Sequence, residues 1–196
     1  MSTPLFEPDK FFEEHEDVNF FVSLVIVIVV GIVGSIMVYL SLPFIKENVI
    51  RVLVQHNIPM NRVEKYFEFM KLYLIVSPFI GSFIAWILLS GLIQIFSALM
   101  GGEGEFSKTM KFVAFGFLPS IVFAPVSYAI ITMTHDITSL PVKIVGLAST
   151  VWQFYILTFA VKHARKLPTM KSAVCVILAI CVSMALRFVG NLFRPS

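Results

Sequence analysis

The chain has 196 residues, 58% of them hydrophobic and 14% charged, and a formal net charge of +3. Charged residues fall well below the roughly 25% of soluble domains, and so small a positive charge does not point to nucleic acid as a partner. What remains is a membrane protein whose length is used up by its apolar runs, with no stretch left over for a separate soluble domain.

Residues 1–18 form an acidic N-terminal segment. Glu7, Asp9, Glu13, Glu14, Glu16 and Asp17 stand where a secretory signal would be basic, so the first apolar run is expected to be retained. A short helix is expected after Pro8, with Phe11 and Phe12 resting at the headgroup boundary. Glu13, Glu14, His15, Glu16 and Asp17 carry groups that ligate divalent cations. Acidic runs of this kind are ordinarily solvated, and no metal site is assigned.

Five apolar runs follow: Phe20–Leu42, Leu72–Met100, Phe112–Thr134, Ile144–Val161 and Ser172–Val189. About 20 apolar residues rising ~1.5 Å each cross a hydrocarbon core of ~30 Å. Without water the backbone must satisfy its own hydrogen bonds, so each run is read as a transmembrane helix. The fold class is therefore an all-α integral membrane protein. It is a five-helix transmembrane bundle with an amphipathic connector between spans one and two.

That connector, residues 44–71, is of a different kind. Pro43 is expected to end the first helix. Glu47 and Arg51 are placed to pair at i,i+4, and Pro59 interrupts the run. Asn61 with Glu64 resembles a capping box, and Val63, Tyr66, Phe67 and Met70 repeat with helical spacing. Either this segment only follows the membrane surface, or its face docks a partner.

The second span would be about 43 Å long as a helix, and Pro78 supplies a kink point. Ser77, Gly81 and Ala85 form a small-residue stripe that lets another helix approach, and Cys175, Ala179 and Ser183 repeat it in the last span. Gly31 with Ser35 is a weaker version. Cys175 and Cys181 fall on different faces of one helix and are not expected to bridge. The third span, with Pro119 and Pro125, is expected to be kinked or locally unwound, with Ser120 or Ser127 meeting the freed carbonyls. No acid or base lies in the middle of a span, which counts against ion-coupled transport. Arg187 is late enough in the fifth span to snorkel. Gln94 and Gln153 are the amides well inside spans.

Between spans two and three lies Gly101-Gly102-Glu103-Gly104-Glu105-Phe106-Ser107-Lys108. Its glycines suit a tight turn with positive φ, and it lacks the GK[ST] ending of a phosphate loop. The loop is either a plain turn with solvated acids or a contact for a basic partner. His135-Asp136 opens the next loop without a nucleophile nearby. After span four, His163, Arg165, Lys166 and Lys171 suit headgroup or partner contact. No catalytic or cofactor-binding residue is assigned, since HExxH, GxSxG and paired carboxylates within a span are all missing. Lys and Arg divide almost evenly between the two faces, so charge leaves orientation open.

Several segments taken in order resemble the Yip domain family (Ypt-interacting proteins), in particular its compact prokaryotic members. They are Pro8-Asp9-Lys10-Phe11-Phe12 before span one, the Gly101–Thr109 stretch, Phe117-Leu118-Pro119, the aromatic Trp152, Phe154 and Tyr155, and Leu167-Pro168-x-x-Lys171-x-Ala173. The resemblance implies a single membrane domain over residues 19–196, a cytoplasmic N-terminus and a C-terminus on the far side. Eukaryotic members are non-enzymatic, act in early secretory trafficking and associate with prenylated Rab GTPases. This chain has only residues 1–18 before its first span, so the resemblance carries over architecture and a scaffold-like expectation rather than a Rab role.

Two functions follow. One is a non-enzymatic scaffold or adaptor in the cell membrane that contacts the bilayer, other membrane proteins or further copies of itself. The other is a carrier or passive pathway for a lipid or small neutral solute, which the kinked third span and Gln94 and Gln153 motivate. The residues expected to make contact are Gly101, Gly102, Glu103, Gly104 and Glu105, with Lys166 and Lys171.

Overall fold

The computed structural model describes residues 2–55 and 60–192, with side chains for residues 2–50 and 64–186. Every described element is helical. These are α1 (Pro8–Glu14), α2 (Phe20–Gln55), α3 (Met60–Leu99), α4 (Phe106–Val113), a 3-10 turn (Ala114–Phe117), α5 (Leu118–Thr134), α6 (Leu140–Arg165) and α7 (Thr169–Leu192). Five stretches are long and apolar enough to span a membrane: Phe20–Ile50, Glu64–Leu99, Phe106–Thr134, Leu140–Arg165 and Thr169–Leu186. Large side chains such as Ile84, Ile95, Leu147 and Val151 stay more than half exposed. That is expected of helices whose outer solvent is lipid.

The first helix does not stop at Pro43 but continues through it to Gln55. One lost backbone bond is tolerable in a long membrane helix whose other bonds hold. The amphipathic stretch is thus carried by the continuation of α2 and the first turns of α3. Asn19 begins α2, its side-chain oxygen accepting from the Phe21 amide at 2.9 Å, the N-cap bond that satisfies an orphan donor. The Glu47–Arg51 pair, the Asn61 cap and Arg187 involve side chains outside the described residues, as does the break at Pro59.

The chain forms two compact units. The first comprises Met1–Val27, Ile84–Leu118 and Val151–Ser196. Its core joins Phe12, Val18, Phe112, Phe115, Ile156, Ala160 and Ala164. The 3-10 turn ends two residues before Pro119, whose ring and missing N–H disfavour a regular α-helical turn there. Where the hydrogen-bond pattern changes, the carbonyls of Met110 and Lys111 accept from Trp86 Nε1 and Ser23 Oγ, both at 2.8 Å. These two donors come from α3 and α2, which sequence spacing does not place nearby. Gly116 lies where any Cβ would run into Leu157. Cys175 and Ala179 are fully buried, with the Cys175 thiol 3.4 Å from the Met100 sulfur. Both cysteines are free.

The second unit comprises Ile28–Phe83 and Pro119–Thr150. Here α2 and α3 approach closely at Gly31 and Gly34. A Cβ on Gly31 would sit 2.8 Å from Ser82 Oγ and 3.1 Å from the Phe79 Cα, and one on Gly34 would sit 3.1 Å from Pro78. A Cβ on Gly81 would meet nothing within 4 Å. The contact with α2 therefore falls one residue round from the Ser77–Gly81–Ala85 stripe. α3 runs on through Pro78 and α5 through Pro125. At the turn after α5, Asp136 Oδ1 accepts from the Thr138 amide and hydroxyl, both at 2.7 Å, so the His–Asp neighbours serve a turn.

Candidate functional site

The site lies within the first unit, where α1, the loop between α3 and α4, and the turn between α6 and α7 meet. Pro8 opens α1 with a φ suited to the first helical position. Phe12 then goes fully inside, with ring centroids 4.9 Å from Phe112 and 5.7 Å from Phe115. Phe11 packs 5.2 Å from Phe115. The aromatic side was expected at the headgroup boundary, but it is buried against the protein. An aromatic pair among acids has the same pattern for either surface, and the Phe112 and Phe115 rings that receive it lie far along the chain.

Polar contacts fasten the same segment. Trp152 Nε1 donates to the Leu5 carbonyl at 2.8 Å. The Asp9 carboxylate accepts from Lys162 Nζ at 2.6 Å, and His163 Nε2 lies 2.6 Å from the same oxygen. Lys111 reaches Asp17 at 3.4 Å. Burial alone would raise the Asp9 pKa. Hydrogen bonds from Lys162 and His163, together with their charge, outweigh it and hold the carboxyl below its ordinary 3.8.

The glycine loop is built around Arg165. This side chain is 2% exposed. Its guanidinium donates to Ser97 Oγ at 2.8 Å, to the Gly102 carbonyl at 2.8 Å and to the Gly104 carbonyl. Its own carbonyl accepts from the Glu103 amide at 3.0 Å. The fork geometry of arginine suits three acceptors arranged around a turn. Gln94 completes the cradle, accepting from Thr109 Oγ1 at 2.8 Å and reaching the Gly104 carbonyl at 3.5 Å. Gly101 has φ +83° and Gly104 φ +129°, and a Cβ at Gly104 would lie 2.5 Å from the Ala164 carbonyl oxygen. Glycine is required there both by dihedral and by space.

α6 ends in a Schellman arrangement. Lys166 takes φ +51°, the Leu167 amide donates back to the Lys162 carbonyl at 3.1 Å, and Leu167 is buried. Lys171 Nζ donates to the Met100 carbonyl at 3.1 Å. The structure thus joins the loop of Gly101, Gly102, Glu103, Gly104 and Glu105 to the turn bearing Lys166 and to Lys171. The Glu103 and Glu105 side chains stay exposed, as do those of Lys166 and Lys171. Sequence reasoning did not find the Arg165 clamp or the Asp9–Lys162–His163 cluster. The available signal was an arginine in the basic run after span four, which reads equally well as a headgroup contact. Among the described residues, no three of His, Cys, Asp and Glu come together as a metal site.

Five long apolar helices and an N-terminal helix packed inward define a multi-pass, all-helical membrane protein in contact with the bilayer. Residues 3–190 match the Yip1 domain model, and the chain belongs to that family. The family is not known as enzymatic. A similar protein is an uncharacterised one from Methanocaldococcus jannaschii, 29% identical over 136 residues, which span 68% of this chain and 89% of that protein. No solved structure matches.

Proposed function

We propose that this chain is a non-catalytic membrane scaffold or adaptor. Its clamped glycine loop and the adjoining basic turn would receive another membrane protein. The observation that carries this reading is that Arg165 fixes the loop backbone while the Glu103 and Glu105 carboxylates remain exposed beside Lys166 and Lys171. Rigid backbone with exposed, mixed charge is suited to oriented recognition, because little ordering remains to be done on binding. Lys166 adds support. It holds a left-handed conformation that glycine would adopt at less cost, so a lysine there trades some stability for a charge at the rim. Membership of the Yip1 domain family, whose eukaryotic members are non-enzymatic proteins of secretory trafficking, supports a scaffold with its N-terminus in the cytoplasm and the cell membrane as its location.

The carrier reading draws on the 3-10 interruption of the third span and on polar side chains within spans. Gln94 is engaged by Thr109 and the Gly104 carbonyl, which leaves that reading less support. Crosslinked capture from native membranes, comparing wild type with E103Q/E105Q, tests the scaffold. The reading expects specific membrane-protein partners that the variant loses at unchanged expression and melting temperature. Identical captures would sink it, and flux or lipid scrambling in liposomes above empty vesicles would favour the carrier.

A further inference from the structure

A second, unrelated feature lies in the other unit, where α2 and α3 leave their apolar runs. An open cleft of about 370 Å³ is bounded by Tyr39, Leu42, Pro43 and Lys46 of α2 and by Phe67, Glu68 and Lys71 of α3. Its floor is apolar, since Leu42 and Phe67 are 7% and 5% exposed. Its rim is charged. Lys46 follows shortly after the charge-free run that ends at Leu42, and Lys71 directly precedes the run that starts at Leu72. Both ammonium groups therefore belong at one membrane boundary, where lysines meet headgroup phosphates. Lys71 Nζ lies 3.9 Å from the Glu68 carboxylate, so two cations and one anion leave a net positive rim. Tyr39 is 58% exposed and brings a hydroxyl donor to the same rim. Beside the cleft, Ile36 and Leu40 on α2 and Leu72 and Val76 on α3 are exposed apolar side chains along which acyl chains can lie.

We propose that this cleft holds the headgroup of an anionic phospholipid, with its phosphate between Lys46 and Lys71 and its chains along the exposed apolar faces of α2 and α3. Charge complementarity selects the occupant. A net positive rim above an apolar floor at a membrane boundary suits an anionic amphiphile better than a neutral lipid or a soluble anion. Glu68 works against the ligand's charge, so the geometry makes a signed claim: removing that carboxylate strengthens retention. The site is independent of the partner surface at the glycine loop.

The test is native mass spectrometry of the full chain released from nanodiscs containing equal phosphatidylglycerol and phosphatidylcholine. Wild type is expected to retain phosphatidylglycerol preferentially. K46Q and K71Q should each reduce retention about 5-fold, the factor equivalent to about 1 kcal/mol per lysine near an anionic surface. K46R/K71R should keep the preference, and E68Q should increase it. Equal retention of the two lipids by wild type overturns the proposal. So does phosphatidylglycerol retention unchanged in K46Q/K71Q, or weakened in E68Q. Full displacement by soluble glycerol phosphate would likewise overturn it, since the cleft would then be reading a phosphate and not a lipid.

Discussion

At the scale of single residues, Arg165 does the most to set the loop between α3 and α4. Charge-assisted hydrogen bonds contribute about 1.5–3 kcal/mol each, and buried carbonyls left without donors cost more. R165M should therefore lower stability by about 3 kcal/mol or more and speed amide exchange across residues 101–105. Thermal unfolding in detergent and hydrogen exchange would show both, and unchanged exchange at Glu103 would rule out the clamp. Lys166 gives an opposite expectation. K166G relieves a left-handed lysine and should raise stability by about 1 kcal/mol while weakening partner capture.

Asp9 belongs to the same scale and has a definite pH sign. Its folded pKa lies below the ordinary 3.8. Stability from its contacts with Lys162 and His163 is therefore present above that ordinary value and lost as pH falls through the lower folded value. Proteolysis of residues 2–14 should stay slow at neutral pH and accelerate only below about pH 4. D9N should be cut readily even at pH 7, and equal protection of D9N and wild type would contradict the anchoring role.

At the scale of elements, the sequence was most legible where physics allows few solutions. An apolar run long enough to cross a bilayer, with no charge in its middle, has to be helical, and all five were readable on that ground, Arg187 falling late in the last. The glycine loop was readable as a turn because three glycines in four residues suit little else. The inward packing of α1 and the Arg165 clamp were not readable. Each depends on which distant residue receives a side chain, Phe112 for Phe12 and the Gly102 and Gly104 carbonyls for Arg165, and local pattern does not encode that pairing. Pro43 misled for a related reason. Its local effect is to end helices, but the helix continues as one element to Gln55.

Close approach of α2 and α3 is an element-scale claim with its own control. G31V adds bulk where a Cβ already crowds Phe79 and Ser82 and should cost about 1–3 kcal/mol. G81A enters open space and should leave stability unchanged or slightly raised, because alanine favours helix over glycine. Equal losses in the two variants, measured by denaturation in detergent, would contradict the packing described here.

At the scale of the whole molecule, the chain is a member of the Yip1 domain family with five apolar helices. If all five helices cross, the odd number puts the termini on opposite sides of the membrane. In a chain cleared of Cys175 and Cys181, cysteines introduced by S2C and S196C should react with an impermeant alkylating agent from opposite faces. Reaction from the same face would show that one of the five helices does not cross.

The central claim is that the clamped loop receives another membrane protein. Site-specific photocrosslinking in native membranes tests it most directly, with the probe at position 103 of the loop and, for comparison, at position 147 on the exposed apolar side of α6. The account predicts a discrete protein adduct from position 103 that is not formed from position 147 and that weakens with E105Q. Adducts of the same kind from both positions, or lipid alone from position 103, would contradict it.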